Sequence, residues 1–130
     1  MTIEEKKEWL GSYSRIVREI EVLCEEHERV FAMIHKFNNM DKIGLQESVD
    51  KMQEIVAHID ARVAALVPKR KAIKAAIDSV TDEKYRELLY LRYIMGMTHE
   101  EIARKVDIDT RWVFRLFNKA LAEINIPQEG

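Results

Sequence analysis

The sequence predicts an all-α fold: a long antiparallel, coiled-coil-like helical hairpin followed by a compact helix-turn-helix. Three observations carry this. Apolar residues recur at alternating spacings of three and four over most of residues 3–80. Only four Gly and two Pro punctuate 130 residues, too few turn formers for an all-β chain. Residues 98–118 then place Ile102, Val106, Ile108, Val113 and Leu116, with Ala103, at the spacing two short helices need to pack across a tight turn. The expected division is a hairpin for oligomerisation or partner binding at 1–80, a helix-turn-helix domain at 81–126 and a frayed tail at 127–130.

The first helix is expected from Ile3 to Phe37. Leu10, Tyr13, Val17, Ile20, Cys24, His27, Phe31 and Ile34 form a seam, and Ile16, Leu23, Val30 and Phe37 form a flanking row. Residues 38–44 read as a turn, because Asn and Gly tolerate left-handed backbone. The second helix begins near Leu45. Leu45, Val49, Met52, Val56, Ile59, Val63 and Leu66 keep the repeat, and its phase continues through Ile73, Ile77 and Val80. Pro68 lacks an N–H and clashes with the preceding turn, so a kink is expected there, the intact phase arguing against a split. Two helices of about 35 residues joined by a short turn favour an antiparallel pair. The flanking row is more than one partner helix can cover, which predicts a homo-oligomer, a dimer first.

The third segment opens with a helix at Thr81, with Asp82 and Glu83 in its first turn. It turns Tyr85, Leu88, Leu89 and Leu91 inward and stops at Gly96. Thr98 and Glu101 have the spacing of a capping box for the next helix, which ends near Val106. Asp107-Ile108-Asp109 turns the chain. Asp109 caps the last helix, from Thr110 to about Ile124, whose inward stripe is Val113, Leu116, Phe117, Ala120 and Ile124.

Net charge is −2 and evenly spread: residues 1–80 hold 13 basic and 14 acidic side chains, residues 81–130 hold 8 and 9. A strong nonspecific nucleic-acid binder is usually basic overall, so any DNA contact must rest on a local patch and more than one subunit. No apolar run of about 18 residues suggests a membrane span, and no signal peptide is evident. The single Cys24 fits a reducing cytoplasm.

A patch of the required kind lies on the last helix. Arg111, Arg115 and Lys119 are four apart and share one face. Arginine can grip guanine O6 and N7, or a phosphate, with two hydrogen bonds. Thr110 and Arg111 sit at the helix N-terminus, the end that points at base edges, and Asn118 is a candidate for adenine or phosphate. Arg104 and Lys105 on the preceding helix can hold phosphates and set the register. The bland alternative is a solvated face paired with Asp109 or Glu123. Trp112 and Phe114 fall off the inward stripe; packing against other helices or a partner subunit is favoured over contact with thymine methyls. Cys24 and His27 share a helix face, but two ligands are no metal site; a buried Cys and a core His are expected. His35, His58 and His99 stand isolated, and Glu25, Glu26 and Glu28 read as a solvated face. With no nucleophile–base pair, phosphate loop or metal spacing, neither catalysis nor a cofactor is expected.

Leu91-Arg92-Tyr93, Gly96, Thr98, Glu101-Ile102-Ala103, Ile108, Val113 and Ala120-Leu121 resemble the fourth region of bacterial sigma factors, which recognises an upstream promoter element and contacts the polymerase. The longer pattern is similar to the ArpU-type phage transcriptional regulators. It joins Lys6-Lys7-Glu8-Trp9-Leu10 and the heptad helix to Ala76-Ile77-Asp78-Ser79-Val80, Tyr85-Arg86-Glu87-Leu88-Leu89 and Arg111-x-Val113-x-Arg115-Leu116. That resemblance implies a double-stranded DNA partner and control of phage or prophage genes, late genes above all. It places Arg111 and Arg115 among recognition-helix cations and Arg92 facing DNA. Asp107 stands where the turn usually has Gly, and Phe114 where a polar or basic residue is usual. Alternative expectations are an adaptor that binds RNA polymerase, a DNA-packaging subunit of small-terminase type, and a purely structural coiled coil.

Overall fold

The computed structural model describes residues 1–40 and 44–127, and among them helices are the regular structure throughout. The elements are α1 (Ile3–Asn38), α2 (Leu45–Asp78), α3 (Glu83–Leu89) continuing as a π-helical segment (Tyr90–Ile94), α4 (His99–Val106) and α5 (Thr110–Glu123). The chain is all-α among these residues, with three short helical elements after the two long helices. Asp41, Lys42 and Ile43 of the expected turn and Gln128, Glu129 and Gly130 of the expected tail lie outside the described residues. Helix α2 runs unbroken through Pro68, so the proline does not split it.

Packing forms two compact units, Val17–Pro68 and Met1–Ile16 with Lys69–Gly130. The grouping differs from a division at residue 80. Both ends of the long-helix segment join the C-terminal helices, where Leu10, Ile73 and Ile77 are almost wholly buried. Lys6 Nζ donates to the carbonyl oxygens of Leu121 (2.8 Å) and Ala122 (3.4 Å) at the end of α5, where a cation suits the helix dipole.

Within Val17–Pro68 the two helices run antiparallel. Glu19 pairs with Arg62 in a two-pronged contact (2.7 and 3.3 Å), and His27 Nε2 lies 3.4 Å from Asp60 Oδ1. The α2 seam is as the spacing predicts: Val49, Ile59 and Leu66 are buried, with Met52, Val56 and Val63 half-buried. The α1 seam matches the expected one in part, at Ile20, His27 and Ile34. Ile20, Leu23, His27, Val30, Ile34 and Phe37 are buried or half-buried, whereas Cys24 and Phe31 are exposed. Cys24 is therefore not the buried core thiol expected. Two neighbouring rows on α1 keep the same repeat, and one partner helix covers only one stripe; it takes Leu23, Val30 and Phe37 from one row with Ile20, His27 and Ile34 from the other.

Candidate nucleic-acid interface

Each helix boundary of the C-terminal unit has a visible cause. Asp82, rather than Thr81, caps α3: its Oδ1 accepts from the N–H groups of Lys84 (2.9 Å) and Tyr85 (3.1 Å). The π-helical widening over Tyr90–Ile94 has no signature in the sequence. Its turn is held by Met95 N–H on the Tyr90 carbonyl and Met97 N–H on the Leu91 carbonyl, both 3.0 Å. Gly96 then takes φ +72, the left-handed region that glycine enters without penalty.

The capping box of α4 is complete. Thr98 Oγ1 accepts from Glu101 N–H (3.1 Å), and Glu101 Oε1 accepts from Thr98 N–H (3.4 Å). The helix ends on Asp107 at φ 56, ψ 51, the left-handed conformation that the turn requires and that Asp tolerates better than most residues. Asp109 Oδ1 accepts from Arg111 N–H (2.8 Å) and starts α5. On α5, Val113, Leu116, Phe117, Ala120 and Leu121 are buried, as is Ile124 just beyond it. The caps fix where α5 begins, and the buried stripe fixes its rotation.

That rotation turns Arg111, Trp112, Phe114, Arg115, Asn118 and Lys119 outward. Arg104 and Lys105 are exposed on α4, and Thr110 is half-buried at the start of α5. Among the described residues, Arg111, Arg115 and Lys119 form no ion pair with Asp109, Glu123 or any other carboxylate. Arg115 instead stands 5.8 Å over the ring of Trp112, a cation–π distance that holds its guanidinium near the indole. Arg92 is placed differently. It is half-buried, and its Nη1 donates to the Met97 carbonyl (2.9 Å), bracing the turn before α4.

The aromatic residues resolve into two kinds. Phe114 stacks on His99 at 4.2 Å, and His99 meets Phe117 edge-on at 4.9 Å. Tyr93 closes the cluster on Phe117 at 5.7 Å. Phe114 thus contacts α4, while Trp112 lies exposed beside the Arg115 guanidinium. His99 is not isolated, and sequence spacing gave no hint of its partners. Its Nε2 is buried with no hydrogen-bond partner among the described residues. Burial, with Arg92 and Lys7 nearby, lowers its pKa against the opposing pull of Glu100. Burial likewise pushes the Tyr93 hydroxyl up to about 12. Among the described residues no group of three or more His, Cys, Asp or Glu could hold a metal ion. No described helix is long and apolar enough to cross a membrane.

This arrangement can insert one rigid helix, with three unpaired cations on its outer face, into a polyanionic groove. No curated protein and no solved structure matches the chain. Residues 70–124, which span every element of this interface, match the family model described as Sigma-70, region 4.

Proposed function

We propose that this protein is a DNA-binding transcription regulator that places α5 in the major groove and controls phage or prophage genes, late genes foremost. The observation that carries the reading is the line of Arg111, Arg115 and Lys119: exposed, unpaired and rigidly held on the second helix of a sigma-region-4-like module. Arg111 and Arg115 read base edges, and Asn118 and Lys119 follow along the groove. Thr110, Arg104 and Lys105 hold phosphates on either side. Arg92, committed to the Met97 carbonyl, acts by bracing the turn rather than by donating fully to DNA.

The protein works by binding, without catalysis or a cofactor, in the cytoplasm where the genome lies. Residues 98–119 hold five basic and four acidic side chains, so one copy has little electrostatic hold. Two copies therefore associate through the hairpin, whose exposed Val22, Phe31, Met33 and Ile55 offer the apolar surface, and bind paired half-sites.

Selection of sheared genomic DNA by the purified protein tests this. The expected result is enrichment of fragments sharing one site beside a phage late-gene promoter. Enrichment elsewhere would overturn the late-gene assignment alone; no enrichment at any salt would overturn DNA binding itself.

A further inference from the structure

The densest basic stretch of the chain lies outside the helix-turn-helix. Residues 61–77 hold five of the 21 basic side chains and none of the 23 acidic ones. Arg62 is committed to Glu19. The other four, Lys69, Arg70, Lys71 and Lys74, fall within six residues at the end of α2 that packs with the C-terminal helices. Three are exposed and Arg70 is half-buried, and none forms an ion pair or side-chain hydrogen bond among the described residues. Arg70 and Lys74 are four apart, and Lys71 and Lys74 three apart, so like charges face each other on the helix and repel. The helix cannot rotate to relieve this, because Ile73 and Ile77 are 1% and 0% exposed.

A concentration of fixed, unneutralised cations fits an anionic partner. A lipid surface is the weaker candidate. The apolar side chains beside these cations are buried (Leu66, Ile73 and Ile77), half-buried (Val67), alanines or the exposed ring of Pro68, leaving no exposed aromatic or long aliphatic side chain to enter a bilayer. DNA is the stronger one, since α5 has too little charge of its own and belongs to the same compact unit.

We propose that Lys69, Arg70, Lys71 and Lys74 form a second contact surface that grips backbone phosphates of the DNA bound by α5. The proposal rests on the DNA-binding reading above. It makes the end of α2 a sequence-independent clamp, with α5 as the reader.

The test is the salt dependence of affinity for a duplex of several helical turns, measured for the full chain and for a Lys69→Gln, Lys71→Gln, Lys74→Gln variant. Glutamine keeps helix propensity, so the circular dichroism should not change. Each lost phosphate contact lowers the slope of log K against log salt by about 0.9. The triple variant should therefore lose about 2 to 3 from the slope and bind at least about tenfold more weakly near 0.1 M salt, equally on selected and unselected sequences. Should the triple variant fold poorly, the three single variants each lose about 0.9 instead. An unchanged slope in these variants, with binding lost in Arg111→Ala, Arg115→Ala, would overturn the clamp and leave the reading intact. Impaired self-association with an unchanged slope would assign the cations to a protein interface and also overturn it. No salt-dependent binding by the wild type would overturn both.

Discussion

The hairpin unit and the helix-turn-helix unit are written in the same helical periodicity, yet they bury it to different depths. The eight largest fully buried side chains, Leu10, Ile73, Ile77, Leu89, Ile102, Val113, Leu121 and Ile124, all belong to the unit that contains α5. Val17–Pro68 contributes none of them, and it exposes Val22, Phe31, Met33 and Ile55. Geometry accounts for the contrast. Two helices can cover only one stripe of each other, whereas short helices crossing at steep angles enclose a centre. On the proposed reading the difference separates the roles: one unit would hold the reading helix, and the other would keep apolar surface available for a second copy.

The sharpest way to break this comparison is to make equivalent deletions on both sides. Leu89→Ala, in the enclosed core, should cost about 2–5 kcal/mol, read as a large fall in thermal midpoint. Phe31→Ser, at a site 56% exposed, should change monomer stability by less than about 0.5 kcal/mol, yet weaken self-association measured by light scattering. Equal costs at the two sites would erase the distinction.

The caps come next. Thr98→Ala and Asp109→Ala each remove a hydrogen-bond acceptor at a helix start and should each cost about 1 kcal/mol in thermal unfolding. Both caps were legible in the sequence, as were the α5 stripe and the α2 seam, because each depends on residues within a few positions of one another. Less was legible where long-range packing decides. Part of the α1 seam differs from the expected one: Ile20, His27 and Ile34 keep their places, but Leu23 and Val30 are covered instead of Cys24 and Phe31, because both rows continue equally regular repeats and only the partner helix chooses between them. His99 looked isolated because Phe114 and Phe117 reach it across the turn. The joining of Met1–Ile16 to the C-terminal helices rests on contacts distant in sequence, among them the buried Leu10 and Lys6 meeting the end of α5 more than a hundred residues later. Of the candidate site, the outward face of α5 followed from spacing. The structural bond of Arg92 did not, since nothing local ties it to Met97.

A smaller effect should appear with pH. The pKa of His99 is lowered in the folded state below its ordinary 6.5, so the folded protein favours the neutral ring. Its contribution to stability is complete above about pH 6.5 and is lost as the pH falls below that value, where the unfolded chain takes up the proton first. Thermal midpoints of the wild type should decline as the pH falls below about 6.5, and His99→Phe should flatten that decline. A decline of the same size in the variant would remove His99 from the account.

The smallest effect is expected at the turn. Asp107→Gly relieves a side chain held at φ 56 but adds freedom to the unfolded chain, for a net gain of about 0.5 kcal/mol. A loss of stability would show that the Asp side chain contributes more to the turn than its backbone strain removes.

The central claim is that the outer face of α5 reads DNA, and its most direct test is the affinity of Arg111→Ala, Arg115→Ala for a selected genomic site. Each good base contact is worth about 1–3 kcal/mol, so the double variant should bind at least about thirtyfold more weakly while keeping its fold. Its preference for the selected site over unrelated DNA should collapse. Wild-type affinity and preference in the double variant would contradict the account.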